Sequence, residues 1–467
     1  MSDSSQPPLL EHATRDLAQF AAGLRYEDIP AEAIARIKSS IIDSLGCCLF
    51  GATLPWTQKV AAMAMAEGAK PEASLMGMGK KSSVALACLV NSTSGHAFEM
   101  DDIHKESIVH AGSLATPVAF ALAESRGLSG RDILTAMVAG YEVGTRVGNA
   151  ATMSLFFRGF HPQGTSGAFV AAGTAARALG LDAGQFQHAL GITGSQAGGL
   201  MAAQEGAMVK RFHSGRAAQS GVYAALLAKE GFTGILDVLE APYGGYLSSY
   251  SDKPNAARIT DGLGSIWETL NVGYKPHASV TSIHTALDGF GELLKENGLT
   301  IDDVQKLEVG LSKMTHVHCA WEYKAQGVTA AQMNLFYGLA VIGIDGVAFT
   351  DQYREDRLRD PRILDFIPRV VATVDAEIEG KGPAARHAAR LKLTTRDGRS
   401  FDKLLMNRRG SPENPLSPQD IEHKFRHVVG SCIPEARADR IIELVYALET
   451  LDKPAELLAA AAAPIKA

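Results

Sequence analysis

The sequence predicts a mainly α-helical protein with a second, mixed α+β domain. Apolar residues recur at three- and four-residue steps through the first half of the chain. The period changes to two at Leu307, Val309 and Leu311, which alternate with Glu308, Gly310 and Ser312. With 467 residues, the chain is longer than one simple core usually serves, so two domains are the default.

Thr14 to Ala22 reads as a short helix after a loose stretch over residues 1 to 12. Asp28, Ile29 and Pro30 form a helix-start signature, because proline suits the first turn. Ile34, Ile37, Ile41, Leu45 and Cys48 then make one apolar stripe that ends near Gly51. Trp56 to Glu67 is a further helix, and Lys81 to Val90 is apolar enough to be buried on most sides. Ser129 and Asp132 have capping-box spacing before Ile133 to Val143, and Asp182 and Gln185 repeat it before Phe186 to Ile192. Gly164 to Leu179 is rich in Ala and Gly. Glycine lowers helix propensity, and close helix crossing is the reason to keep it. Residues 201 to 215 break the pattern before a helix over Arg216 to Ala228.

The composition changes near Gly262. Thr300 and Asp303 have cap spacing before the strand at Leu307. Val370 to Glu379 and Ala389 to Thr395 are two more strands, the latter closed by an Asp397-Gly398 turn. Gln332 to Ile344, Ser417 to Phe425 and Arg437 to Leu448 read as helices, and the Ala-rich last dozen residues as a fraying end. The mixed domain spans roughly 270 to 400. Periodicity leaves open whether the final helices join it or return to the first domain.

The formal net charge is -6 and no basic run occurs, so nucleic acid is not an expected partner. No stretch of eighteen apolar residues predicts a membrane span. The polar start MSDSSQPPLLEH does not read as a secretory signal. Five cysteines, Cys47, Cys48, Cys88, Cys319 and Cys432, fit no metal spacing and suit reduced thiols in a cytoplasmic protein.

The stretch Asn91 to Pro117 concentrates acids and imidazoles between two apolar segments: Glu99, Asp101, Asp102, His104, Glu106 and His110. Such groups are expensive there unless hydrogen-bonded, which fits a polar cleft; a solvated loop fits equally. His161 in RGFHPQGTSG suits an anion pocket or a capped turn. Lys210 and Arg211, followed by His213, suit a carboxylate ligand, and standing alone they suit a solvated pair better. His316 and His318 alternate at the end of a predicted strand without a third ligand, so no metal is expected.

Taken together, IIDSLGCCLFGA (41 to 52), GHAFEMDDIH (95 to 104), VAGYEVGTRVG (138 to 148), GFHPQGTSGAFVAA (159 to 172), MVKRFHSGRAAQSG (208 to 221), YKPHASVTSIHTALD (274 to 288), MNLFYGLA (333 to 340) and GSPENPLS (410 to 417) resemble the 2-methylcitrate dehydratase, or MmgE/PrpD, family. That family also includes cis-aconitate decarboxylases and iminodisuccinate epimerases. The resemblance implies a discontinuous all-helical domain over 1–268 and 405–467, with an α+β lid over 269–404. It also implies a homodimer, small di- to tetracarboxylate substrates and no cofactor. By local match the pocket draws on Asp102, His110, His161 and Lys210. Glu99 stands where Asp is common, and Tyr141 and Arg146 lie on a family-like helix.

The chain departs from the pattern. Ile103 stands where dehydratase-like members have Thr, and Val280 and Thr281 replace a Cys-Arg pair. Decarboxylase-like members carry a functional His at the Val280 position. His277 is a nearby substitute, and His284 is kept. An epimerase needs only acids on two faces of one carbon, so these losses favour an epimerase acting on iminodisuccinate or a similar aminopolycarboxylate. In that reading Lys210 and His161 bind the anion, Glu99, Asp102, Arg146 and His277 support binding, and two of His110, Tyr141, Lys210 and His284 transfer protons. The alternative is a hydro-lyase acting on a methylcitrate-like tricarboxylate.

Overall fold

The computed structural model describes residues 11–466, so the reading of residues 1 to 10 as loose lies outside it. Helices dominate, and the strands longer than three residues all fall between 304 and 405. Nine helices of the first half set the frame: α1 (Ala13–Gly23), α2 (Ala31–Gly51), α3 (Pro55–Ala66), α4 (Val84–Gly95), α5 (Gly112–Arg126), α6 (Gly130–Phe157), α7 (Ser166–Ala178), α8 (Ala183–Gly194) and α9 (Val209–Lys229). The stripe of Ile34, Ile37, Ile41, Leu45 and Cys48 is buried on α2. Both predicted capping boxes form: Ser129 Oγ accepts from Asp132 N at 3.2 Å, and Asp182 Oδ1 from Gln185 N at 2.8 Å. α6 packs on α7, and α4 and α7 pack on α9. The small residues permit this closeness. A Cβ on Gly144 of α6 would overlap the Val170 main chain of α7, and one on Gly215 of α9 would overlap the Leu89 carbonyl of α4.

The strands are β1 (Ala73–Leu75), β2 (Lys80–Ser82), β3 (Ile103–His104), β4 (Val272–Gly273), β5 (Val304–Leu311), β6 (Val370–Val374), β7 (Ala389–Thr395) and β8 (Ser400–Leu405). A four-stranded sheet runs β6-β5-β7-β8, with β5 and β6 parallel and the other neighbours antiparallel. Leu307 pairs with Leu393 and Val309 with Leu391, and all four are buried, so the period-two reading places the inward face correctly. The helix Thr281–Glu296 lies on β7 and β8. The helices Pro418–Val429 and Glu435–Tyr446 return to α2, where Lys424 Nζ meets Asp43 Oδ1 at 2.5 Å.

Several local expectations change. β1 pairs with β2, and β3 with β4, so the first half is not free of strands. The segment after Val374 leaves the sheet because Asp375 accepts from the main-chain N–H groups of Glu377 and Ile378, capping the short helix Ala376–Gly380. His316 and His318 lie on the helix Lys313–Cys319, not at a strand end. The break at 201 to 215 is shorter than expected, because α9 starts at Val209 and takes Lys210 and Arg211 into its first turn. The strand β8 had no sequence counterpart. The Ala-rich end is helical over Ala455–Ala462, with Leu457 and Ala461 buried. No single helix among the described residues is long and apolar enough to cross a membrane.

Candidate active site

The polar stretch after α4 is largely buried, and of its acids and imidazoles only Glu106 is exposed, paired with Arg258. His96, Glu99, Asp101, Asp102, His104 and His110 are all under a tenth exposed. The antiparallel pair β3–β4 ties this stretch to the segment carrying Lys275. Gln163 holds the stretch from the other side. Its Oε1 accepts from His110 N at 2.9 Å, and its Nε2 donates to His110 O at 3.1 Å.

Glu99 is the centre. It holds a left-handed backbone, φ 52°, a strained state for a residue with a Cβ. Three cations converge on its carboxylate: Lys210, Arg211 with Nη1 at 2.7 Å, and Lys275 with Nζ at 3.1 Å. Burial alone would raise the carboxyl pKa, but these cations outweigh it and hold it well below the usual range. Burial, followed by the opposing pull of Glu99 and the push of Arg211 and Lys275, brings Lys210 down to about 8.

Beside this cluster runs a row of imidazoles. His96 Nδ1 lies 2.7 Å from Asp101 Oδ2, and His110 Nδ1 lies 3.3 Å from Asp101 Oδ1. His161 and His213 are hydrogen-bonded through Nδ1 atoms 2.9 Å apart. Burial and the charge of Lys210 keep His161 well below its ordinary pKa, so it is neutral at neutral pH. His96, Asp101 and His110 present ligand atoms within 4.8 Å of one another, and among the described residues they are the group that could hold a metal ion. The spacing of the sequence did not disclose this set.

A small cleft of about 90 Å³, partly open to solvent, opens on these groups. Its walls carry Glu99, His110, His161 and Lys210 from the helical part, together with Lys275 and the segment Val280 to Ser282. Among the described residues five cations line it, Lys105, Lys210, Lys275, Arg386 and Arg408, against the one carboxylate of Glu99. Such a surface suits a small polyanion and can hold charge that develops during reaction.

Of the residues expected at the site, Glu99, His110, His161 and Lys210 come together. Five do not reach the cleft. Asp102 accepts from Gly112 N at 2.9 Å and from Tyr141 Oη at 2.8 Å, so the pair braces the start of α5. Burial and the nearby Asp43 charge lift Asp102 to about 8. Arg146 is consumed by Glu142 and by the carbonyls of Asp261 and Ile266, which pins a loop. His277 Nε2 turns to Asp288 at 2.9 Å, and His284 Nε2 to the Ser279 carbonyl at 3.1 Å. His277 therefore does not replace the imidazole missing at Val280, which itself lines the cleft. Sequence reasoning overlooked the roles of His96, Lys275, Arg386, His387 and Arg408. Lys275 stood inside a family-like motif, and Arg408 stands just before another, which was the available signal.

Fold and site define a mainly helical protein with a partly open, cation-lined cleft over a buried ion cluster. The chain belongs to the MmgE/PrpD family: it matches the MmgE/PrpD N-terminal domain over residues 15–258 and the C-terminal domain over residues 277–450. It is similar to a cis-aconitate decarboxylase of Aspergillus terreus, 31% identical over 477 residues that cover 97% of this chain and 96% of the relative. A cis-aconitate decarboxylase-like protein of Aspergillus oryzae is 31% identical over 473 residues, covering 96% of this chain and 97% of the relative. The human cis-aconitate decarboxylase is 25% identical over 460 residues, covering 95% and 93%. These relatives overturn the expectation of an isomerase acting on iminodisuccinate. They are decarboxylases by name, which places the likeness with lyases of tricarboxylates.

Proposed function

We propose that the chain is a carboxy-lyase that removes CO2 from a small tricarboxylate of the cis-aconitate kind. The observation that carries the reading is that, among the described residues, five cations line the cleft with one carboxylate, Glu99, which is itself locked by Lys210, Arg211 and Lys275. The likeness to cis-aconitate decarboxylases over nearly the whole chain supports it.

Breaking the C–C bond to the departing CO2 leaves an electron pair on carbon. In an unsaturated tricarboxylate that pair delocalises toward a remaining carboxylate, where Lys210 and Lys275 stabilise the charge. A proton then goes to carbon, giving an unsaturated diacid one carbon shorter. With Val280 at the cleft wall, the donor is Lys210, whose pKa near 8 suits an acid at neutral pH. His110 and His161 face the same space and orient the carboxylates. The part over 269–404 acts as a lid, since Lys275, Val280, Arg386 and His387 form one side of the cleft. The chain pairs as a homodimer through the apolar face where Tyr223, Leu227, Phe232 and Leu236 are exposed, and light scattering tests this.

Release of CO2 from cis-aconitate, compared with alkene formation from 2-methylcitrate, tests the activity. Its pH profile carries a prediction. Only protonated Lys210 both donates and neutralises, so kcat/KM falls as pH rises through about 8. Lys210→Arg, charged at every working pH, loses this falling limb. A limb that persists in the variant assigns the titration to another group.

A further inference from the structure

We propose that Lys105, Arg386 and Arg408 form a second anion subsite in the cleft, which takes the substrate carboxylate farthest from the reacting carbon. This rests on the tricarboxylate reading above and names the residues that make a third carboxylate count.

The two ends of the cleft differ in one respect. Around Glu99, three cations share a carboxylate. Around Arg386 and Arg408, among the described residues, no carboxylate oxygen lies within 4.0 Å of either guanidinium. Both are nevertheless buried, at 7% and 4% exposure. Arg386 Nε is buried and has no hydrogen-bond partner among the described residues. The carboxylate paired with Lys105 among the described residues is Glu413, at a long 3.9 Å. Asp288, the other acid near Arg408, is occupied by His277 and by the Arg409 N–H. Buried cations without a counter-ion are costly, and a bound carboxylate offsets that cost.

The cations are also held in place. Ser312 Oγ and Thr315 Oγ1 each donate to the Arg386 carbonyl at 2.7 Å, fixing its main chain. Arg386 donates to the Lys105 carbonyl, and Lys105 Nζ donates to the Ala384 carbonyl at 2.9 Å. Arg408 Nη1 donates to the Tyr274 carbonyl at 2.8 Å. His387 lies among them, and burial together with the charges of Arg386, Arg408 and Lys105 keeps it uncharged. Arg386 Nη2 and Arg408 Nη1 are spent on these carbonyls, and the other N–H groups of both cleft-lining arginines are left to donate to a carboxylate.

The test is calorimetric binding of propane-1,2,3-tricarboxylate and of 2-methylsuccinate, which lacks one terminal carboxylate. The wild-type chain is expected to bind the tricarboxylate roughly 10- to 100-fold more tightly, as one or two charge-assisted hydrogen bonds provide. Arg386→Gln removes that advantage and leaves the 2-methylsuccinate affinity unchanged, and Arg408→Gln does the same. Arg386→Lys, which keeps the charge, retains part of it and covers the case in which the glutamine variant does not fold. The melting temperature of the ligand-free Arg386→Gln protein stays the same or rises, whereas a merely structural arginine would lower it. Loss of both affinities together, or an undiminished preference for the tricarboxylate, overturns the subsite. Turnover is read separately: preferential tricarboxylate binding without CO2 release keeps the subsite and removes the carboxy-lyase reading.

Discussion

Replacing Lys210 by alanine lowers kcat on cis-aconitate by roughly 10²- to 10⁴-fold, the range for loss of a positioned proton donor. The fold survives this change, because Arg211 and Lys275 remain on Glu99 and keep the carboxylate paired. KM rises as well, since a cation facing the cleft is lost. Steady-state kinetics on a variant with an unchanged circular dichroism spectrum checks this. A rate within threefold of wild type would make Lys210 a structural partner of Glu99 and move the proton donor to His110 or His161.

The Glu99→Gln variant loses stability by about 3–5 kcal/mol, the range for breaking a buried ion pair from one side. Three buried cations then face one another without a counter-charge. The midpoint of denaturant unfolding drops accordingly. An anion that enters the cleft replaces the lost charge, so saturating tricarboxylate recovers part of the loss, about 2.7 kcal/mol at one hundred times its Kd. A midpoint equal to wild type would show that the three cations are compensated elsewhere.

The helical frame was legible because it repeats. The α2 stripe and the two capping boxes are local patterns, and burial and hydrogen bonds follow them. The end of β6 was not legible, since Asp375 stops the strand through two N–H groups that only the folded turn brings near. The start of α9 was hidden for a related reason: no side chain caps it, so the segment before Arg216 read as a break.

The candidate site was half legible. Glu99, His110, His161 and Lys210 stood in motifs, and the fold joins them across large separations in sequence. Their charge balance was not, because Glu99 meets Lys275 176 positions away. Arg386 and Arg408 carried no local signal in the sequence, and the fold alone buries them. The reaction was misread from Ile103, Val280 and Thr281. Losing polar groups at those positions reshapes the cleft, but the remaining cations stabilise a carbanion whether a proton or CO2 has departed. Side-chain loss therefore does not separate an epimerase from a decarboxylase.

The most direct test is turnover of cis-aconitate in deuterated water, with evolved CO2 counted and the product examined by NMR. The proposed chemistry predicts one CO2 and one carbon-bound deuterium per unsaturated diacid formed, with recovered cis-aconitate unlabelled. Deuterium entering cis-aconitate without CO2, or cis-aconitate left untouched while 2-methylcitrate yields an alkene, would contradict it.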